Sequence, residues 1–356
     1  MFKALTIENF RGIPKLEIND FGMINLLVGQ NSCGKTTILE ALFLLIGASN
    51  AELSVRINHF RGIEKVDENF WRFIFHDLNI HSPIKLTGTL AEPSASRELV
   101  IKPFMEYSDS IARDTSVKEE TFAYGSYSNS LQKVLGLDLK CRFRKNKSIK
   151  EIKTAVFLTD SGPKLDIPKN YKEILKGHFI NNKTLSIDMD KRFNEVQLRK
   201  KTDIIVRALQ QIEPRLTSLS LGTDGLIYCD IGLDRLIPLP SMGAGMVKIM
   251  SLILTIMNAR NGIVLIDEIE NGLYPSTQEL LWKAMIHTAE EFNSQIFATT
   301  HSIECVKTLV NVCSKDNLKK DRIRLFRIEK TDKKIVAVNY DYATLEAALE
   351  SDWEIR

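Results

Sequence analysis

The sequence predicts an α/β fold: a mixed central sheet joined to an additional antiparallel β region and an α-helical insertion. Three observations carry this. At both ends of the chain, short apolar runs lead directly into helix-patterned segments, as Met23–Val28 does into Lys35–Leu45 and Gln295–Thr299 into Ser302–Val312. From Ile84 to about Phe157 apolar and polar residues alternate, as in Ile84-Lys-Leu-Thr-Gly-Thr-Leu, which is the period of short antiparallel strands. Lys191 to Ile212 has helical spacing and stops at Pro214.

In chain order, Leu5–Ile7 and Leu16–Ile18 read as short strands around the polar turn Glu8-Asn9-Phe10-Arg11-Gly12. Met23–Val28 reads as a buried strand, then comes a Gly-rich turn and the apolar helix. Residues 50–80 are mixed, with aromatics Phe70, Trp71, Phe73 and Phe75 expected in a core. Ser108–Ser130 is polar and Ser-rich and reads as a loop; Asn146–Asp190 is Lys-rich and carries Pro163 and Pro168. Asp188-Met-Asp190 precedes helical spacing and reads as an N-cap rather than a metal site. Leu216–Leu221 and Leu226–Ile231 are strands, Val247–Asn258 an apolar helix, Ile263–Ile266 a buried strand and Ser276–Phe292 a helix. Arg324–Ile328 and Ile335–Val338 form a terminal hairpin. The expected division is 1–95, a first part with the Gly-rich loop; 96–200, an inserted β and helical region; and 201–356, a second α/β part.

Composition narrows the class. The 356 residues are 44% hydrophobic and 26% charged, ordinary for a soluble globular chain. Forty-eight basic and 45 acidic residues leave a net charge of +3, so any nucleic-acid contact needs a local basic patch. The five cysteines form no CxxC pair, which argues against a disulfide framework or structural zinc and for a reducing, cytoplasmic setting. The first 20 residues alternate charge and apolarity, unlike a signal peptide, and the longest apolar stretch of the first half, Ile38–Ala48, contains Glu40 and is too short to span a bilayer. No membrane association is expected.

Three motifs carry chemistry. Gly29-Gln-Asn31-Ser32-Cys33-Gly34-Lys35-Thr36 matches the phosphate-binding loop G-x-x-x-x-G-K-[ST] at every fixed position, and it sits between an apolar strand and an apolar helix as that loop must. Backbone N–H groups of Gly29, Asn31, Ser32, Cys33 and Gly34, with Thr37 beyond, are expected to cradle the phosphates of ATP. Lys35 would face the β- and γ-phosphates, and Thr36 would offer its hydroxyl to Mg²⁺. Ile263-Val-Leu-Ile-Asp267-Glu268 delivers two adjacent carboxylates to a strand end: Asp267 to hold Mg²⁺, Glu268 to act as general base. Gln295-Ile-Phe-Ala-Thr299-Thr300-His301-Ser302 ends a third strand in a histidine that can sense the γ-phosphate, with Ser302 placed to cap a helix.

Together with Asn9-Phe10-Arg11-Gly12 and Asp267-Glu268-Ile-Glu270-Asn271-Gly272-Leu-Tyr-Pro275, these motifs resemble RecF-, SMC- and OLD-type ATPases of the ABC class, and short stand-alone AAA family ATPases of bacterial defence and toxin-like loci. The resemblance covers about 1–90 and 200–350. It implies a P-loop NTPase of the ABC-ATPase head type, with Arg11 close to the nucleotide, Glu268 as catalytic base, His301 as switch histidine and Glu270–Pro275 at a dimer interface. The Leu-Ser-Gly-Gly-Gln signature of that class is replaced by Ser241-Met-Gly243-Ala-Gly245-Met, in which Gly243 and Gly245 would meet the opposite subunit's γ-phosphate. No Q-loop glutamine is located. The resemblance further implies ATP-dependent self-association and control of a separate effector, because OLD-type proteins carry a Toprim nuclease and this sequence, ending at Arg356, shows no acidic set for one. The alternative is a RecF-like repair ATPase. For that, the candidate DNA contact is the basic stretch Lys140–Lys153, in which Arg142 and Arg144 share one strand face.

Overall fold

The structure is a computed structural model that describes residues 1–67, 69–106, 133–159, 162–168, 173–315, 320–331 and 334–351. The expected loop at 108–130 lies outside these residues. Strands β1 (Phe2–Phe10), β2 (Ile13–Asn19) and β3 (Ile24–Val28) lead to helices α1 (Lys35–Ile46) and α2 (Glu52–Phe60). An antiparallel run follows: β4 (Ile84–Leu90), β5 (Ser96–Glu106), β6 (Lys133–Lys145), β7 (Ser148–Thr159) and β8 (Gly162–Asp166). Next come β9 (Gly177–Ile180), α3 (Met189–Leu198), α4 (Thr202–Leu209) and the short strands β10 (Ser218–Leu221), β11 (Ile227–Asp230) and β12 (Ile237–Pro238). The last third alternates α5 (Ala244–Asn258), β13 (Ile263–Ile266), α6 (Pro275–Phe292), β14 (Gln295–Thr299), α7 (Ile303–Lys315), β15 (Ile323–Lys330), β16 (Ile335–Asp341) and α8 (Tyr342–Glu350).

Two large sheets result. The six-stranded one runs β16-β15-β3-β14-β13-β9. All its strands are parallel except β16, which closes the terminal hairpin. The seven-stranded sheet is antiparallel, in the order β2-β1-β4-β5-β6-β7-β8. Residue 95 therefore lies between two paired strands, and β9, from the inserted stretch, borders β13 in the parallel sheet.

The three central parallel strands β3, β14 and β13 are buried along their whole length and mostly apolar because both faces are covered. Leu27, Leu265, Phe297 and Phe326 point to one face and pack with α1 and the antiparallel sheet. Leu26, Val264, Ile266, Ile296, Ala298 and Leu325 point to the other and pack with α3 to α7. α1 is buried along nearly its whole length between the two sheets. Gln295 joins the sheets: its side chain accepts from the Phe2 N–H at 2.8 Å and donates to the Phe2 carbonyl at 2.9 Å. Among the described residues no helix is long and apolar enough to cross a membrane.

Four local expectations are corrected. The single helix over 191–212 is two helices, α3 and α4, broken where Lys200 takes a left-handed φ of 55° and the last carbonyls of α3 are capped by the N–H groups of 199–201. Asp188 does not cap α3: it too is left-handed, and its carboxylate pairs with Lys191 at 2.5 Å. Phe70, Trp71 and Phe75 are core residues as expected, whereas Phe73 is 40% exposed. The helix expected from Val247 begins at Ala244.

Candidate nucleotide site

The C-terminal ends of β3, β14 and β13 share one edge, where ligands of open α/β sheets bind. β3 opens into the glycine loop. Gly29 has φ 138°, and a side chain there would come within 2.4 Å of the Ile328 carbonyl on β15, so the position demands glycine on both counts. Ser32 and Gly34 are also left-handed, at φ 61° and 108°, which folds the loop back on itself ahead of α1. Asn31 and Ser32 are exposed on the loop, and Cys33 is buried beneath it.

Lys35 opens α1 and is buried. Its ammonium donates to the carbonyls of Gly29 at 2.7 Å and Gln30 at 2.9 Å, with Cys33 Sγ at 3.8 Å. Burial holds its pKa below the usual lysine value, with Cys33 and then Asp267 opposing. Thr36 Oγ1 donates toward both oxygens of Asp267, at 3.0 and 3.1 Å. Thr299 Oγ1 donates to Asp267 Oδ1 at 2.7 Å and accepts from the Glu268 N–H at 2.8 Å. A hydroxyl and a carboxylate thus converge at the mouth of the loop, a hard-oxygen donor set that fits Mg²⁺.

Glu268 sits in the left-handed region, at φ 53°. Its Oε2 accepts from Asn271 Nδ2, and its Oε1 lies 4.0 Å from His301 Nε2. The His301 N–H donates to Glu270 Oε1 at 2.7 Å. Ser302 Oγ accepts from the Cys305 N–H at 3.2 Å, so it caps α7. The resulting cleft of about 530 Å³ is lined by Arg11, Gly12, Asn31, Ser32, Gly34 to Thr37, Arg61, Glu268 and His301.

Arg11 reaches this cleft at its wall, but most of its guanidinium is committed elsewhere. Nε lies 2.7 Å from Glu40 Oε2, outside hydrogen-bond geometry, and the terminal nitrogens donate to the Ile57 and Phe73 carbonyls and to Asn58 Oδ1. Burial lowers its pKa to about 10, with Glu40 opposing. Arg61, which the motifs did not single out, shares Glu40, at 2.7 and 3.0 Å, and donates to Thr37 Oγ1 at 3.1 Å. Burial works against its charge too, but the hydrogen bonds and charge of Glu40 outweigh it and raise its pKa. Arg61 is 38% exposed where Arg11 is 8%. No motif marks Arg61; the only sequence signal was Glu40, a carboxylate inside an apolar helix that had to find a cation.

The segment Ser241–Met246 stands away from this cleft. Ser241, Gly243 and Ala244 are exposed at the N-terminus of α5, and Gly243 has open space where a side chain would stand. Gly245 faces inward: a β-carbon there would lie 3.3 Å from Thr277 and 3.8 Å from Leu273 of the same chain. Beside Asp267, whose N–H donates to the Ile180 carbonyl, the chain leaving β9 carries Asn181 and Asn182 rather than a glutamine. Three cations of the basic stretch, all on β6, are held in ion pairs. Lys140 and Arg142 pair with Glu151, Arg142 also with Glu98, and Lys145 with Glu92.

Residues 24–306 match the family described as "AAA domain, putative AbiEii toxin, Type IV TA system". The chain is 22% identical to an "ATP/GTP phosphatase" of Helicobacter pylori, over 99% of each chain. It is 24% identical to the "Retron Ec83 probable ATPase" of Escherichia coli, over 85% of this chain and 69% of that one. Among solved structures it is similar to an SMC head bound to the C-winged helix domain of ScpA, at 12% identity and a TM-score of 0.48, covering 98% and 99% of the two chains.

Proposed function

The chain belongs to this AAA-domain family and is a P-loop ATPase, and on that premise we propose that it hydrolyses ATP to ADP and phosphate at the cleft between its glycine loop and Glu268. The observation that carries this is the convergence of Thr36, Asp267 and Glu268 from two strands that are not neighbours in the sheet. The loop N–H groups and Lys35 bind the phosphates, Lys35 exchanging its two loop carbonyls for phosphate oxygens. Thr36 and Asp267 hold Mg²⁺, which neutralises charge on the phosphates when bound. Glu268 accepts the proton of the attacking water, and His301, beside it, lies on the γ-phosphate side. Arg61 adds positive charge at the mouth of the cleft; Arg11 and Glu40 brace it from behind.

Two copies associate around ATP through the exposed N-terminus of α5. Its free N–H groups and the open Gly243 suit a phosphate presented by a partner. The ATP-loaded assembly regulates a separate effector, a nuclease or toxin, in a bacterial anti-phage or DNA-surveillance system. The toxin-antitoxin description of the family and the retron ATPase among its relatives support this reading. The ion pairs of Lys140, Arg142 and Lys145 weigh against the RecF-like alternative, because those three charges are less available to a DNA backbone. Hydrolysis assayed beside light scattering, with and without ATP, tests the proposal. ATP-dependent mass increase with phosphate release supports it; neither response refutes it.

A further inference from the structure

Lys248 lies one turn into α5 and is 6% exposed, an unusual place for a lysine with no carboxylate in ion-pair contact among the described residues. Its ammonium donates to the Asn271 carbonyl at 2.6 Å and reaches the Glu268 carbonyl at 3.5 Å. Both acceptors belong to the loop that carries Glu268. That loop needs support. Glu268 is a non-glycine residue at φ 53°, a conformation that costs on the order of 1 kcal/mol and persists only when its surroundings fix it.

The fixings are few and specific. The Glu268 N–H is held by Thr299 Oγ1, and the Glu268 carbonyl accepts from the Asn271 N–H at 3.1 Å. The Ile269 N–H donates to the Thr299 carbonyl at 3.0 Å. All of these tie the loop to itself or to β14. Lys248 is a hydrogen-bonded tie from α5, and it spans both ends of the turn. The close fit of Gly245 against Leu273 and Thr277 packs the same helix turn against the far end of the loop.

We propose that Lys248 is a positioning residue for ATP hydrolysis, whose ammonium clamps the Glu268–Asn271 turn and so sets the angle at which Glu268 meets the attacking water. Glu270 is the strongest charge favouring its protonated form, and burial is the main cost of keeping it there. A buried ammonium retained against that cost is explained by the carbonyls it serves. The inference rests on Glu268 being the general base.

Lys248→Met and Lys248→Arg, beside Glu268→Gln, test it. Affinity for a non-hydrolysable ATP analogue with Mg²⁺, kcat and thermal denaturation are measured for each. Lys248→Met is expected to lower kcat at least about 30-fold, leave analogue affinity within about twofold, and leave the melting temperature unchanged or higher, since it removes a buried charge. Lys248→Arg restores much of kcat, because a guanidinium can donate to both carbonyls. A Lys248→Met enzyme that turns over at the wild-type rate, or one that loses affinity and kcat together, overturns the proposal, as does a Lys248→Arg enzyme no better than the Met variant. If Glu268→Gln itself hydrolyses normally, the base assignment fails instead, and the two failures are told apart.

Discussion

Thr36 and Asp267 stand 231 positions apart in sequence, yet the threonine hydroxyl lies within 3.1 Å of both carboxylate oxygens of the aspartate. Removing either partner should leave nucleotide binding indifferent to the metal. For Asp267→Asn we expect ATP affinity to be the same with Mg²⁺ as with EDTA, while the wild type weakens at least about tenfold on chelation. Titration calorimetry under both conditions decides it; a metal response retained in the variant removes Asp267 from the metal site.

Lys35→Ala should weaken ATP binding by about 100-fold or more, on the order of 2.7 kcal/mol. Its thermal stability should not fall much, because the ammonium is buried against carbonyls at a cost that its lowered pKa reflects. A nucleotide titration beside a melting curve separates the two effects. Wild-type affinity in the variant is incompatible with the glycine loop being the phosphate site.

The two arginines on Glu40 should respond differently. Arg11→Ala leaves a buried carboxylate with one cation in place of two and takes the donor from two carbonyls and an amide oxygen, so we expect a stability loss of about 3 kcal/mol. Arg61→Ala should cost less stability and more ATP affinity, since its side chain is the more exposed and stands at the cleft mouth. Denaturant melts and nucleotide titrations on both variants check this, and the reverse ranking refutes the division of labour.

Much of this site was legible in the sequence. The glycine loop, the Ile263–Glu268 run and Thr300-His301 are local patterns, each at the end of a short run of three or four consecutive apolar residues, and the structure brings all three to one edge. The Arg61–Glu40–Arg11 cluster was not legible, because its members come from α1, the end of α2 and the β1–β2 turn with no fixed spacing. The strand β9 was missed for a related reason: Gly177–Ile180 is only four residues long, and its place beside β13 depends on long-range parallel pairing. The inward face of Gly245 was equally hidden, since the sequence does not say that Leu273 and Thr277 would pack on it.

That packing changes how the N-terminus of α5 must be probed. Bulk at Gly245 would disturb its own chain, so Ala244→Glu is the cleaner substitution. A glutamate in the first helical turn suits the helix dipole and should leave stability and intrinsic ATP affinity intact. It should nevertheless abolish ATP-dependent assembly, because a carboxylate would face a phosphate across the interface, whereas Ser241→Ala keeps assembly. Light scattering of both variants with ATP tests this; normal assembly of Ala244→Glu removes α5 from the interface.

Lys248 gives the account a pH signature. Burial holds its pKa at about 8, opposed by Glu270, Cys305 and Glu268. Between about pH 8 and the ordinary lysine value the unfolded chain binds this proton and the folded chain does not, so its contribution to stability rises with pH. The clamp on the Glu268 turn weakens over the same range, because the neutral amine loses the charge that strengthens its hydrogen bonds to the two carbonyls. We expect kcat to fall above about pH 8 without a matching fall in melting temperature attributable to this residue, and Lys248→Arg to shift that fall to higher pH. A kcat profile that is identical in the wild type and the arginine variant contradicts it.

The most direct test of the whole account is single-turnover hydrolysis by Glu268→Gln, measured beside its ATP affinity. The amide keeps the shape of the carboxylate and cannot take a proton at neutral pH. We expect ATP affinity within about twofold of wild type, a hydrolysis rate reduced by at least about 100-fold, and an ATP-bound assembly larger than the ATP-free protein. Hydrolysis at the wild-type rate would contradict it.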